Sequence, residues 1–354
     1  QGAETISLQK LANSVLGRKG MLSVEISIVV MQVGVCIGIL LFANQFLGHI
    51  LCQYNMMDLC EDIWFRVFFT LVLTIPLSFV NNLHYFYIPS MAAIFFVLVG
   101  LLVQTIYNFQ LMGQQPEIGE GMSNKMSEFN FKALPLYFGV ANFSFEGVGV
   151  LFNIRTSMQK PQELPRILKY QLIVMTILYI VFPSLSYIAQ GSKVPEIILL
   201  SLPPDNSFYL LIMILYVISA LLGYPVQLFP PLRILENSKS LRNKLFDDFG
   251  RLQRPFLRYG IRLGIIGLML LVVYTAKRFY LFINFLGSFV FTYLSFLLPI
   301  IMHTKYFKGR LTVARKMLNF FVLGLGFVLG CVGSYVSLSE LIGNKDDEVA
   351  EVIA

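Results

Sequence analysis

Nine runs of predominantly apolar residues, each long enough to cross a bilayer as a helix, leave this chain little else to fold with. They fall near 23–47, 65–84, 89–112, 134–154, 169–190, 207–232, 260–276, 279–302 and 317–342. A helix needs about 20 such residues to span the hydrocarbon core. In lipid, every backbone N–H and C=O must be satisfied within the segment, so open spans of this length are helical. Composition agrees. Hydrophobic residues make up 56% of the 354 and charged ones 13%, against about 25% charged in a soluble domain. The expected fold is an all-α polytopic membrane protein, with one transmembrane domain over residues 1–354 and no soluble domain. No secretory signal pattern opens the chain. Gln1 is not an initiator methionine, which leaves a preceding segment open.

The charges sort by side. Of the 27 Lys and Arg, 20 lie in the set of loops that includes the N-terminus, 155–169, 233–262 and 303–316. The acids favour the opposite set, among them Asp58, Glu61, Asp62, Glu117, Glu120 and the Asp346-Asp347-Glu348 tail. Basic loops stay on the cytoplasmic side. The N-terminus is therefore expected in the cytoplasm (or a mitochondrial matrix) and the C-terminus opposite. This distribution accounts for the net charge of +7 without nucleic-acid binding. The basic stretch 233–259 reads first as a positive-inside loop, and second as a docking site for a partner or for anionic lipid.

The fourth run differs from the others. Phe138-Gly139-Val140-Ala141-Asn142-Phe143-Ser144-Phe145-Glu146-Gly147-Val148-Gly149 places a carboxylate between glycines inside an apolar span. An ionisable group at membrane depth faces a cavity or a partner. Glycine-interrupted spans present backbone groups to substrate near the bilayer midplane. The helix is therefore expected to break between Phe143 and Gly149. The freed amides would suit a carboxylate and the freed carbonyls an ammonium. Glu146 is the candidate coupling group, since burial favours its protonated form. A neutral glutamate that fixes the broken helix is the competing structural reading. Phe143 and Phe145 are candidates for a gate or a side-chain pocket, or else packing aromatics. Asn142, Ser144 and Gly147 complete the segment. Gln32 and Tyr216 are expected to face the interior. The Asn142 sequon lies within a span and is not expected to carry glycan.

Cys52 and Cys60 share one loop, which leaves two readings open: a disulfide if that loop faces an oxidising compartment, or two nearby free thiols. Cys36 and Cys331 lie in apolar spans and read as packing residues. Three histidines give no metal-ligand spacing. No nucleophile–base pair or phosphate loop marks an enzyme, and neither a cofactor nor a metal is expected.

The order of these signals resembles the amino acid/auxin permease family, and within it the proton-coupled amino acid transporters. The likeness covers almost the whole chain. Its strongest part runs from Leu134-Pro135-Leu136-Tyr137-Phe138-Gly139 through Phe143-Ser144-Phe145-Glu146-Gly147 to Met158 and Pro161. Ile75-Pro76 with Asn81-Asn82-Leu83, Tyr224-Pro225-Val226-Gln227-Leu228, Phe285-Leu286-Gly287-Ser288 with Leu298-Pro299, and Gly333-Ser334-Tyr335 to Glu340 follow in the family's order. The resemblance implies a partial inverted-repeat fold of the APC/LeuT type plus one extra helix, with the nine runs standing for family helices three to eleven. It implies substrate binding beside the broken sixth family helix, at Asn142 to Gly147.

Two departures stand out. Gln190-Gly191-Ser192 and Asn153-Ile154-Arg155-Thr156 occupy places where the family carries acids. The family's first two helices, including the other half-site, have no counterpart among the nine runs. The first functional expectation is a secondary active transporter of small neutral amino acids, coupled to protons or another cation, with lipid, amino acid and coupling ion as its partners. The second is a transport-inactive, transporter-derived structural subunit of a larger membrane complex, with membrane-protein partners. In a third, a separate polypeptide supplies the two helices. Which membrane the chain occupies is left open among plasma membrane, endomembrane and mitochondrial inner membrane.

Overall fold

Apolar runs bounded by capping residues set the helix limits. The computed structural model describes residues 8–54, 56, 59, 62–79, 87–114, 131–145, 147, 151, 155, 158–191, 194–203, 205–237, 254–276 and 278–342. Every regular element among them is helical. A short helix α1 (Leu8–Leu16), not anticipated from the sequence, precedes α2 (Arg18–Gln53). Gly17 separates them at φ 78°, a left-handed conformation that only glycine adopts freely, and its N–H still bonds Asn13 O at 2.9 Å. Then come α3 (Ile63–Ser78), α4 (Tyr87–Gln114), α5 (Leu134–Ser144) and α6 (Leu164–Gln190). The chain continues through α7 (Ser207–Asn237), α8 (Arg254–Thr275), α9 (Phe279–Tyr306) and α10 (Val313–Ile342). The Asp62 carboxylate accepts from Trp64 N–H at 2.9 Å to start α3, and Asn206 Oδ1 does the same for Phe208 N–H before α7.

Among the described residues, six helices are long and apolar enough to cross a membrane: α2, α4, α6, α7, α9 and α10. The runs expected at 65–84 and 260–276 are shorter apolar helices. In the run expected at 134–154, Leu134–Ser144 is helical, and beyond Gly147 the helical Leu151 donates its N–H to Gly147 O at 3.0 Å. Rows of large apolar side chains, such as Ile173, Ile177 and Ile180 on α6, are exposed. In a chain of this kind they meet lipid rather than water.

The chain divides into two compact units. One comprises Gln1–Met31, Phe129–Ile180 and Tyr280–Ala354, the other Gln32–Glu128 and Val181–Phe279. In the first unit α5 packs on α9 and on α10, and α1 packs on the C-terminal part of α9. In the second, α4 packs along α7, and α3 contacts both α7 and α8. The core of that unit gathers Phe46, Val103, Leu202, Ile212 and Met213.

Two polar features of the second unit lie inside apolar helices. The Arg262 guanidinium of α8 donates to Glu236 Oε1 of α7 at 3.1 and 3.2 Å, and to Ser78 O at the end of α3 at 3.4 Å. The other is a network of amides and hydroxyls. Asn108 Oδ1 accepts from the amides of Gln104 (3.3 Å) and Gln190 (2.9 Å), and Asn108 Nδ2 donates to Ser186 Oγ (2.9 Å). The Gln104 and Gln190 amides each donate a second bond to Ser201 Oγ at 3.1 Å. Paired this way, polar side chains join α4, the end of α6 and the turn Ile198–Ser201, with Gln104 Oε1 left without a partner among the described residues.

Candidate substrate site at the end of α5

Helix α5 ends between Ala141 and Phe145, and Gly147 O accepts from the N–H of the helical Leu151 at 3.0 Å. The last helical residue of α5 is Ser144. Phe145 leaves helical geometry at φ −92°, ψ 6°, with its N–H turned back to Ala141 O at 3.1 Å. Gly147 is not helical, and no atom of the described residues lies within 4 Å of where a Cβ on it would stand. The carbonyls of the last turn carry the partial negative charge of a helix C-terminus. Ser144 Oγ donates to Val140 O at 2.9 Å, a side-chain bond that competes with continuation of the ladder. Ser144 O in turn accepts from Tyr179 Oη of α6 at 3.3 Å. Phe145 sets its ring edge-on to Tyr179, with centroids 5.3 Å apart. Phe143 faces Phe291 of α9 at 5.1 Å. Both phenylalanines are therefore engaged with other aromatic rings.

Asn142 fixes the register of this end. Its Nδ2 donates to Gly287 O and to Thr292 Oγ1 of α9, each at 2.9 Å. Gly287 O is reachable because α9 widens there. Gly287–Phe291 and Tyr293–Leu297 form π-helical turns, and the Thr292 hydroxyl reaches back five residues to Gly287 O at 3.1 Å. Such widened turns concentrate at functional sites. Pro299 follows two residues after the second turn, and its missing N–H cannot serve the ladder behind it.

Close approach does the rest. A Cβ on Gly139 would run into Asn284 and Ser288, one on Gly287 would meet the Gly139 carbonyl, and one on Gly333 would meet Ser288 and Pro135 O. Asn284 Nδ2 donates to Ser337 Oγ of α10 at 2.5 Å, and Ser288 Oγ donates to Asn284 Oδ1 at 3.4 Å. Three helices thus meet backbone to backbone around buried hydroxyls and amides.

Of the residues expected at the site, Asn142, Phe143, Ser144, Phe145 and Gly147 all lie at this helix end in the first unit. Glu146 lies outside the described residues. Gln32 and Tyr216 belong to the second unit. Gln32 is buried there, and its Oε1 has no hydrogen-bond partner among the described residues. Tyr216 packs beside Phe42 at 5.8 Å and fills the space over Gly100. Cys60, the candidate partner of Cys52, also lies outside the described residues. Sequence reading missed Asn284, Ser288 and Thr292. Their four-residue spacing inside an apolar run was the available signal, since it puts three polar side chains on one helix face.

Comparison with known proteins points the same way. A family model described as transmembrane amino acid transporter protein matches residues 1–339. Vacuolar amino acid transporter 4 of Saccharomyces cerevisiae is 35% identical over 216 residues, which are 60% of this chain and 29% of the yeast protein. Vacuolar amino acid transporter 3 of the same yeast is 28% identical over 274 residues, 77% of this chain and 39% of that protein. Amino acid transporter AVT3A of Arabidopsis thaliana is 23% identical over 347 residues, 96% of this chain and 75% of its own length. The chain spans well under half the length of the two yeast relatives it matches.

Proposed function

The chain belongs to the transmembrane amino acid transporter family, and from that premise we propose that it carries small neutral amino acids across an endomembrane, driven by a proton or other cation gradient. The observation that carries this reading is the end of α5. There α5 ends inside an apolar run, its terminus is anchored by Asn142 on Gly287 and Thr292, and no described residue crowds Gly147. A helix C-terminus offers carbonyl charge to an ammonium. Non-helical backbone at Gly147 offers an N–H to a carboxylate. Gly147 has no side chain to block approach, which suits small substrates. Glu146, one residue before Gly147, is proposed as the group that takes up the coupling proton.

Several finer readings belong to the same proposal. The helices form nine crossings of one inverted-repeat membrane domain. The N-terminus is cytoplasmic, as the 20 basic residues on its side suggest. The C-terminus and the loop of Cys52 and Cys60 then face the lumen, where the two thiols would be oxidised to a disulfide. The relatives named above are called vacuolar amino acid or amino acid transporters. Those names favour transport over the structural-subunit alternative.

The test is uptake by the purified protein in liposomes under an imposed pH gradient, using radiolabelled alanine, lysine and glutamate. Alanine uptake that collapses with a protonophore is the expected result. Uptake limited to lysine or glutamate would overturn the substrate reading, and uptake indifferent to every cation gradient would overturn the coupling.

A further inference from the structure

A cavity of about 560 Å³ opens in the first unit between α2, α9 and α10, within the roughly 300–1,000 Å³ of small-molecule sites. Its rim is apolar and exposed, with Ile26 and Val30 from α2, Phe289 from α9 and Phe327 from α10. Among the described residues no lining side chain carries a charge, so a zwitterion or a phosphate would leave its aqueous partners for nothing here.

Of the five hydroxyls in the lining, four on α9 and α10 are engaged, and Ser27 on the α2 wall makes no hydrogen bond among the described residues. Ser288 Oγ donates to Asn284 Oδ1, Thr292 Oγ1 to Gly287 O at 3.1 Å, and Ser334 Oγ to Gly330 O at 2.6 Å. Tyr293 Oη pairs with Ser23 Oγ at 2.9 Å. With those protons directed into the protein, the cavity presents an essentially apolar wall. A neutral, largely apolar occupant fits this lining, and it enters from the side, where exposed apolar residues face lipid.

We propose that this cavity holds an acyl chain of a bilayer lipid, which braces the π-helical turns of α9 behind the Asn142 contact. The floor residue Thr292 accepts the Asn142 amide from its other side. Filling the cavity thus supports the helix that positions the end of α5. The inference stands apart from the choice of substrate.

The test uses the purified protein in liposomes doped with phosphatidylcholine carrying a diazirine near its acyl terminus. After illumination, adducts are mapped by peptide mass spectrometry. Adducts on peptides holding Val30, Phe327 and Cys331 should exceed severalfold those on the exposed Ile173–Ile180 face of α6. They should saturate as the photolipid fraction rises, while α6 adducts rise linearly. Ser27→Phe and Cys331→Phe, which fill the cavity from opposite walls, should each remove most of the excess, and Cys331→Ser should not. Melting temperatures show which variants are folded, and the saturation curve of the unmodified protein decides the matter should both fillings unfold it. Equal, unsaturable labelling of the two faces overturns the proposal. So do cavity peptides that stay unlabelled, as they would beneath a covering protein segment.

Discussion

Asn142 in the first unit and Asn108 in the second are both amides buried in apolar helices, and they are satisfied in opposite ways. Asn108 is answered by side chains alone, those of Gln104, Ser186 and Gln190. Asn142 is answered by a backbone carbonyl, Gly287 O, and by a hydroxyl that shares that carbonyl. The side-chain network leaves α4 unbroken on both sides of Asn108. The backbone contact needs a widened turn in α9 and glycines at 139 and 287, and it sits at the end of a helix. In hydrocarbon, polar side chains can lock helices together while leaving their ladders closed. Backbone contact opens a ladder, and an open ladder is what can bind a polar solute.

The largest effect expected from this contrast is steric. Gly139→Ala and Gly287→Ala each put a methyl into backbone or into a packed amide, with nothing flexible to move aside. Each should cost at least ~2–3 kcal/mol, in the range of overpacked cores, and should appear as loss of monodisperse protein in size-exclusion thermostability assays. Gly147→Ala, where no described residue crowds the new methyl, should leave the melting temperature almost unchanged. If all three behave alike, close approach is not what distinguishes the first unit.

Charge gives the next effect. Arg262 and Glu236 are nearly buried partners, with side-chain exposures of 9% and 14%. Glu236→Gln leaves the guanidinium with Ser78 O and a neutral amide, so about 3 kcal/mol of stability should be lost, as for a broken buried pair. The double change Arg262→Met with Glu236→Leu should recover much of it. A double variant no better than the single one would show that the pair lies in water rather than in the protein.

The two asparagines themselves come third. Asn108→Leu strands amide donors of Gln104 and Gln190, and Asn142→Leu removes the bond that Thr292 Oγ1 accepts and one of the two that Gly287 O accepts. Each should cost about 1–3 kcal/mol, the penalty for unsatisfied buried groups. They should part company in transport. At matched temperatures below melting, Asn108→Leu should keep most of its uptake rate and Asn142→Leu should lose it. Equal losses in both would abolish the functional half of the comparison.

What the sequence made legible follows the same division. Helix positions came from apolar length, and the stop in α5 from Ser144 and Gly147 within an otherwise lipid-compatible run. The α1–α2 break at Gly17 was missed because one glycine in an amphipathic segment carries no sign of its φ. The partners of Asn142 were missed for a different reason. Gly287 contributes a carbonyl, which every residue has, and only packing decides which carbonyl is exposed by a π-helical turn. The Gln104–Asn108 pair was visible as two amides one turn apart, but Ser186, Gln190 and Ser201 join them from distant segments. A single chain's periodicity carries no record of such pairings.

The smallest expected effect on stability is also the sharpest on mechanism. Glu146 follows the described end of α5 by two residues, and its proposed role is to exchange the coupling proton. Glu146→Gln keeps the shape and the hydrogen-bonding capacity of a protonated glutamate while removing its titration. If the carboxyl is neutral in the resting protein, the substitution should shift the melting temperature by no more than a degree or two. Uphill uptake driven by a pH gradient should be abolished, because no proton can be released on the far side. Exchange of labelled for unlabelled substrate needs binding and reorientation but no net proton movement, so it should continue. That combination separates coupling from architecture. A glutamate that merely fixed the broken helix would tolerate glutamine in both assays, and retained gradient-driven uptake would therefore remove Glu146 from the mechanism. Loss of exchange together with uptake would assign it to the substrate contact beside Gly147 instead.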